Sequence, residues 1–314
     1  MENSSKIEYF VLAAYSDMGQ LKYLYFFILL LWYCSICAAN TLLIAVIFAD
    51  RRLREPMYML LCNLLVNEIS GSTSLYPLML SQMFSEAHQV PLSWCFLQMS
   101  CMYTSVSVEF FSLAVMAYDR YVSICKPLHY SSIMSAGTVG VVVPLIWIFA
   151  CANCLLTVVF VVNLKLCGNV IDKVFCDHQL VAKLACSVSK VNSIMDMFSF
   201  LIGVFPVGLI AVSYVKILLV CFDTSKENKQ KAITTCTPQI VSVSNLLVGC
   251  AFVFFDSWND AGHFSDEVRI FFSTYLIVCQ PIITPFMYGF KLPKIREACK
   301  RMWKKKVFFL RESH

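Results

Sequence analysis

Seven long apolar runs organise this sequence, near residues 23–49, 57–84, 95–121, 139–163, 194–222, 232–256 and 267–290. Coiled as a helix at about 1.5 Å per residue, each is long enough to cross a hydrocarbon core of about 30 Å. A backbone in lipid must satisfy its own N–H and C=O groups, which leaves helices and closed barrels as the spanning structures. Composition agrees. Of 314 residues, 59% are hydrophobic and 14% charged, with a mean hydropathy of +0.69. Soluble domains run at about 45–50% apolar and about 25% charged. A chain of this length cannot hide that excess in one aqueous core. The expected fold class is therefore all-α: a seven-transmembrane helix bundle over 23–290, after an outer segment 1–22 and before a cytoplasmic tail 291–314. No repeat or Gly/Ser-rich linker divides it.

Charge sets the expected orientation, because cytoplasmic loops collect Lys and Arg. Arg51, Arg52 and Arg54 follow the first run, Arg120 and Lys126 the third, and Lys226, Lys229 and Lys231 lie between the fifth and sixth. The tail adds Lys291, Lys294, Arg296, Lys300, Arg301 and Lys304. With an odd number of spans these share one side, the cytoplasm, and the N-terminus lies outside. Asn3-Ser4-Ser5 is a glycosylation sequon on that outer side. Ile295, Cys299, Met302 and Trp303 among the tail's basic residues predict an amphipathic helix on the inner leaflet. Residues 1–22 have no basic stretch leading into an apolar core, so the first run is expected to do its own targeting. The net charge of +5 is weak and spread along the membrane face, and nucleic acid is not an expected partner.

The string Met116-Ala117-Tyr118-Asp119-Arg120-Tyr121-Val122-Ser123-Ile124-Cys125-Lys126-Pro127-Leu128-His129-Tyr130 closes the third run. An Asp-Arg pair at a helix end can lock on itself. Protonating the Asp, or offering the Arg another partner, frees the guanidinium into a cleft and makes a two-state switch. For Asp-Arg-Tyr alone, interfacial snorkelling of Arg120 is as good an account. The whole string resembles the signature of vertebrate olfactory receptors, a branch of the rhodopsin-like (class A) G-protein-coupled receptors. Glu8-Tyr9-Phe10-Val11-Leu12, the stretch Pro56 to Leu64, Ser213-Tyr214, Lys231-Ala232-Ile233-Thr234-Thr235-Cys236 and Pro281 to Tyr288 carry the resemblance along nearly the whole chain. With Cys236-Thr237-Pro238 and a long fourth connection, its flavour is that of the fish odorant receptors.

The resemblance implies an odorant receptor. A small odorant is expected in the outer half of the bundle, and a stimulatory heterotrimeric G protein of the olfactory type at the Asp119-Arg120-Tyr121 switch. Tyr214 and Tyr288 could each serve as an interfacial aromatic anchor, and the family context implies that they swing toward Arg120 as the bundle opens. Alignment to the family places Met102, Tyr103, Val106, Ser107, Phe198, Ser199, Ile202, Cys250, Ala251, Phe254, Thr274 and Ile277 around the ligand. Most of the sixteen Cys lie in apolar runs, where Cys behaves as a small hydrophobe. Cys95 opens the third run and Cys167, Cys176 and Cys186 lie in the long fourth connection, and four cysteines allow three pairings; the resemblance implies Cys95–Cys176 and Cys167–Cys186.

Glu68 and Glu109 sit in the middle of the second and third runs. Carboxylates at that depth need a partner or a proton. Facing each other they suit a hydrated monovalent cation such as Na⁺, and no other cofactor is expected. Pro206 and Pro285 should kink their spans. Two residues depart from the family's pattern: Thr284 replaces the Asn before Pro285, and Leu247 occupies a position usually held by Tyr. The alternatives are a class A receptor for another small ligand outside olfaction, or a small membrane transporter. The latter calls for internal repeats and a polar path, and two deep acids make a poor path. An enzyme is not expected: there is no nucleophile–base constellation and no His-Glu-x-x-His metal motif.

Overall fold

The structure is a computed structural model that describes residues 7–15, 19–186, 190–222, 225–258 and 266–312. Its helices are α1 (Leu21–Ala49), α2 (Pro56–Gln82), α3 (Leu92–Cys125), α4 (Tyr130–Ile133), α5 (Ala136–Val162), α6 (His178–Lys183), α7 (Lys190–Phe222), α8 (Lys226–Trp258), α9 (Asp266–Lys291) and α10 (Pro293–Glu312). The seven long helices α1, α2, α3, α5, α7, α8 and α9 correspond to the seven apolar runs. Several extend beyond them, since a helix continues past the hydrocarbon edge into polar sequence.

Six of the seven are apolar and long enough to cross a membrane on composition alone; among the described residues α2 falls short. The reason is its inward face, which buries Asn63, Asn67, Glu68 and Ser72. Each amide is used in the interior. Asn63 Nδ2 donates to Ser112 Oγ at 2.8 Å, and Trp147 Nε1 to Asn63 Oδ1 at 2.8 Å. Asn67 Nδ2 donates to the Ser105 carbonyl at 2.9 Å. The bundle is polar at its axis and apolar outside, where Phe27, Leu31, Phe48, Ile148, Phe200 and Phe222 stand exposed. That inversion fits a lipid surround.

Local sequence sets the helix ends and bends. Pro56 starts α2 with its φ already helical, and Ser135 caps α5 by accepting from Thr138 N at 3.1 Å. Prolines stand inside α2, α5, α7, α8 and α9 at Pro77, Pro144, Pro206, Pro238, Pro281 and Pro285. Proline removes the bond to the carbonyl four residues earlier. For Pro285 that carbonyl belongs to Pro281, and Asn40 Nδ2 of α1 donates to it at 2.9 Å.

α3 packs against α2, α5, α7 and α8, while α9 packs against α1, α2, α8 and α10. Leu60, Leu61, Leu64, Leu65, Leu113, Ala117, Leu246 and Tyr288 belong to one buried cluster. After α9 the chain turns at the buried Leu292 into α10, which buries Ile295 and Ala298. Two ion pairs fasten α10 to the connection after α1: Lys294 to Glu55 and Arg301 to Asp50, both at 2.5 Å.

The all-helical expectation needs one addition at the opposite end. Strands β1 (Tyr9–Leu12), β2 (Gln89–Pro91) and β3 (Val170–Ile171) form a small sheet in the order β2-β1-β3. β1 runs antiparallel to β2 and parallel to β3, with Val11 opposite both Gln89 and Val170. Phe10, Leu12, Tyr15, Val90, Val174 and Phe175 form its core, and Tyr15 donates its hydroxyl to the Val174 carbonyl at 2.7 Å. The same end carries two disulfides, Cys95–Cys176 and Cys167–Cys186, with Cα separations of 5.4 and 4.9 Å. The first joins the start of α3 to the long loop after α5.

Candidate functional site

At the end of α3, Arg120 Nε and Nη2 donate to Asp119 Oδ2 at 3.1 and 2.6 Å. Tyr130, on the short helix α4, donates its hydroxyl to the other carboxylate oxygen at 2.8 Å. Asp119 is wholly buried. Burial first, and then the negative charge of Asp119, push the Tyr130 phenol up, so it remains a donor throughout the physiological range. The ammonium groups of Lys216 and Lys126 lie 5.4 and 5.9 Å from the Tyr121 ring. Tyr214 of α7 and Tyr288 of α9 belong to the same packed region as Tyr121 and Tyr130. Their hydroxyls are buried and have no hydrogen-bond partner among the described residues.

Mid-bundle, a cavity of about 50 Å³ is lined by Glu68, Ser72, Met102, Val106, Glu109 and Gln280, among others. Thr284 donates to Glu68 at 3.1 Å, so the family's missing amide is replaced by a hydroxyl on an acid. Glu109 accepts a short hydrogen bond from Gln280 Nε2. Gln280 Oε1 accepts from Asn245 Nδ2 at 2.5 Å, and Asn245 Oδ1 accepts from the Tyr275 hydroxyl at 2.8 Å. This directed chain joins α9 to α8 and ends on the α3 carboxyl. Leu247 is turned outward, so the inward polar position on α8 belongs to Asn245 instead.

The Ser72 hydroxyl is buried, lacks a partner among the described residues and lines the cavity beside both acids. With the two carboxylates it makes an all-oxygen donor set in that lining, the ligand type of hard cations. No group of three or more His, Cys, Asp or Glu side chains suited to a metal occurs among the described residues, so such a site rests on two carboxylates and neutral oxygens.

Of the expected ligand residues, Met102, Val106 and Ile277 line this cavity together with both acids. Ser107, Ile202, Cys250 and Thr274 are half-buried, with Thr274 Oγ1 bonded to its own helix at Ile270. Phe198 and Ala251 are exposed and do not join it. The side chains of Ser199 and Phe254, and all of Asn3, lie outside the described residues. Tyr103 is tied to the loop: its hydroxyl donates to Asp177 Oδ1 at 3.2 Å, and its ring meets His178 edge-on at 6.1 Å. Asp177 pairs with Lys173 at 2.6 Å, both side chains 6% exposed. The Cys176 N–H donates to Gln98 Oε1 at 3.0 Å.

Sequence reasoning missed Tyr130, Asn245, Gln280, Tyr275 and the Lys173–Asp177 pair. An available signal was the presence of Asn245 and Gln280 inside apolar spans, where an amide demands a partner.

The family model described as "Olfactory receptor" matches residues 28–306. Human olfactory receptor 2K2 is 32% identical, covering 96% of this chain and 95% of its own. Mouse olfactory receptor 5G29 is 34% identical, with 96% of each chain covered. Among solved structures, the crystal structure of squid rhodopsin superposes with a TM-score of 0.73 at 17% identity, over 94% of this chain and 87% of that one. This chain belongs to the olfactory receptor family and has the seven-helix fold of a rhodopsin-like G-protein-coupled receptor.

Proposed function

We propose that the chain detects a small odorant and signals through a stimulatory G protein of the olfactory type, raising cAMP. The observation that carries this reading is the state of the Asp119-Arg120 end. The guanidinium is held on its neighbour while two buried hydroxyls, Tyr214 and Tyr288, stand without partners. Moving Arg120 off Asp119 gives both hydroxyls an ion to bind, and exposes a cation to a partner protein. The two arrangements use the same residues, which is what a bistable element requires.

The ligand shifts the balance only by binding the open state more tightly, typically by about 1–3 kcal/mol of coupling. The cavity under Met102, Val106 and Ile277 reaches the acid pair, so a ligand seated above it presses on the same side chains that hold α3 to α9. Glu68, Glu109 and Ser72 would hold Na⁺, which supplies a positive charge between the two carboxylates. The bias of Lys and Arg supports a cytoplasmic α10 and an outer N-terminus carrying glycan on Asn3. On that reading the disulfides face the oxidising side.

The test is cAMP in cells supplying the olfactory stimulatory G protein. A suitable odorant raises it, and Arg120→Ala abolishes the response at unchanged surface level. A surface-expressed chain that answers no member of a broad odorant panel, or an Arg120→Ala variant that signals like the parent, overturns the proposal.

A further inference from the structure

A second pocket lies on the outside of the bundle, away from the central cavity. It is a groove of about 430 Å³ between α2 and α3, with Thr73, Pro77 and Leu78 on one wall, Trp94, Leu97 and Cys101 on the other, and β2 across its end. Thr73, Pro77, Trp94, Leu97 and Cys101 are exposed, so the groove opens sideways toward lipid. Its volume falls within the range of about 300–1,000 Å³ usual for small-molecule sites.

Three glutamines line the groove near its β2 end, the exposed Gln89 of β2 and the buried Gln82 and Gln98. Gln82 is the last residue of α2 and is 7% exposed; Gln98 stands in the second turn of α3 and is 4% exposed. Gln82 Oε1 and Gln98 Nε2 have no hydrogen-bond partner among the described residues. The Gln98 amide is not free to turn at no cost, because its Oε1 is already used by the Cys176 N–H, which fixes its Nε2 as the unpaired group. A buried donor or acceptor left unpaired is costly, the more so beside hydrocarbon.

The unpaired groups are one acceptor and one donor, the two roles that a hydroxyl can answer by donating to Gln82 Oε1 and accepting from Gln98 Nε2. From Gln82 back to Thr73 the groove runs roughly 14 Å along α2 at 1.5 Å per residue. Its unpaired amide atoms are at the helix end, where headgroups lie, and its length runs toward the bilayer centre past Pro77, Leu78 and Leu97, while the hydroxyls of Thr73, Ser74 and Ser81 in the same lining already bond carbonyls of their own helix. That polarity matches an amphiphile lying in the membrane. We propose that this groove is a second ligand site, for a neutral alcohol with an apolar body, entering from the lipid phase and independent of the central pocket. The alcohol has two sources, a membrane sterol or a dissolved aliphatic alcohol.

The test uses the full chain in phosphatidylcholine nanodiscs with a diazirine-bearing cholesterol analogue. Saturable labelling is expected on peptides within 73–101, competed by cholesterol if the source is the membrane, or by 1-octanol from water if it is the aqueous phase. Cholesterol methyl ether, which cannot donate, should compete roughly tenfold more weakly, as for the loss of one buried hydrogen bond. Gln82→Met and Gln98→Glu should each weaken labelling to a similar degree; the latter keeps an oxygen for Cys176. Cys101→Phe fills the groove and should abolish labelling, and it decides the matter should Gln98→Glu fail to fold. Labelling that is non-saturable, equally competed by the methyl ether or indifferent to Cys101→Phe overturns the site. Because the readout is labelling rather than cAMP, this result stands or falls apart from the odorant reading.

Discussion

α3 begins at a disulfide, beneath a loop that carries a second disulfide, a buried Lys173–Asp177 pair and one strand of a sheet. The same helix finishes at Asp119 and Arg120, held by one ion pair and one phenol from a four-residue helix, beside two hydroxyls that have no partner among the described residues. One end is closed by covalent bonds, a small sheet and a buried ion pair; the other is held by contacts that can be exchanged. On the proposed reading, the ligand entrance keeps its shape while the far end changes partners. The polar chain from Tyr275 to Glu109 lies between them and belongs to neither.

The largest effect should come from breaking the closed end. Cys95→Ser removes the link between α3 and the loop, at a cost of about 2–5 kcal/mol. Surface expression should be lost, as measured by antibody staining of intact cells. Normal expression would mean that the sheet alone suffices to hold that end. Next comes the middle: Gln280→Leu strands Asn245 Nδ2 and a Glu109 oxygen in the interior. Unsatisfied groups cost about 1–3 kcal/mol each, and a thermal melt in detergent should show a clear fall in Tm. An unchanged melt would show that the chain of amides holds nothing.

A smaller change tests the exchangeable end. Tyr130→Phe deletes one hydrogen bond to Asp119, about 1.5–3 kcal/mol for a bond to a charged group, and should raise ligand-free cAMP several-fold. If basal signalling stays level, Tyr130 is not part of the lock and the contrast between the ends weakens. The smallest effect is expected at α10. The hydrogen bond from Arg301 is the main cause that holds the Asp50 carboxyl below its usual range. Since its folded value is depressed, its contribution is present above the unfolded pKa of about 3.9 and is lost as pH falls through the folded value. Asp50→Asn should therefore loosen α10 slightly at neutral pH, read by hydrogen exchange of 293–304, and should erase that acid-dependent step. An identical acid profile in the variant would assign the step to another carboxylate.

The seven spans were legible because lipid imposes a length and a hydropathy that sequence carries locally. Even α2 could be found, although its Asn63, Asn67 and Glu68 dilute the signal, since those residues gather on one face of an otherwise apolar stretch. The Asp119-Arg120 pair was legible for the same reason, both partners being adjacent. What stayed hidden depends on distant pairs. Tyr9–Leu12 is only four residues long, and the strands beside it begin at Gln89 and Val170, so nothing near it marks it as β. Gln280 reaches Glu109 across 171 positions, and neither residue type names the other. Leu247 was expected to matter as a lost aromatic; a helix places it outward two residues beyond Asn245, and periodicity alone could not fix that rotation.

Asn40 bears on how the molecule is made. Its Nδ2 donates both to Ile36 O of its own helix at 2.8 Å and to Pro281 O, 241 positions later. During synthesis the first span enters the bilayer long before its distant acceptor has been translated. The bond to Ile36 occupies one of the amide's two N–H groups while it waits in lipid, leaving the second for the later acceptor. The last span then arrives with a carbonyl that proline has left open, and Asn40 is already placed to receive it. Ribosomal order thus favours a bundle that is completed by its final helix, and a product truncated before Pro281 would lack the acceptor that joins α1 to α9.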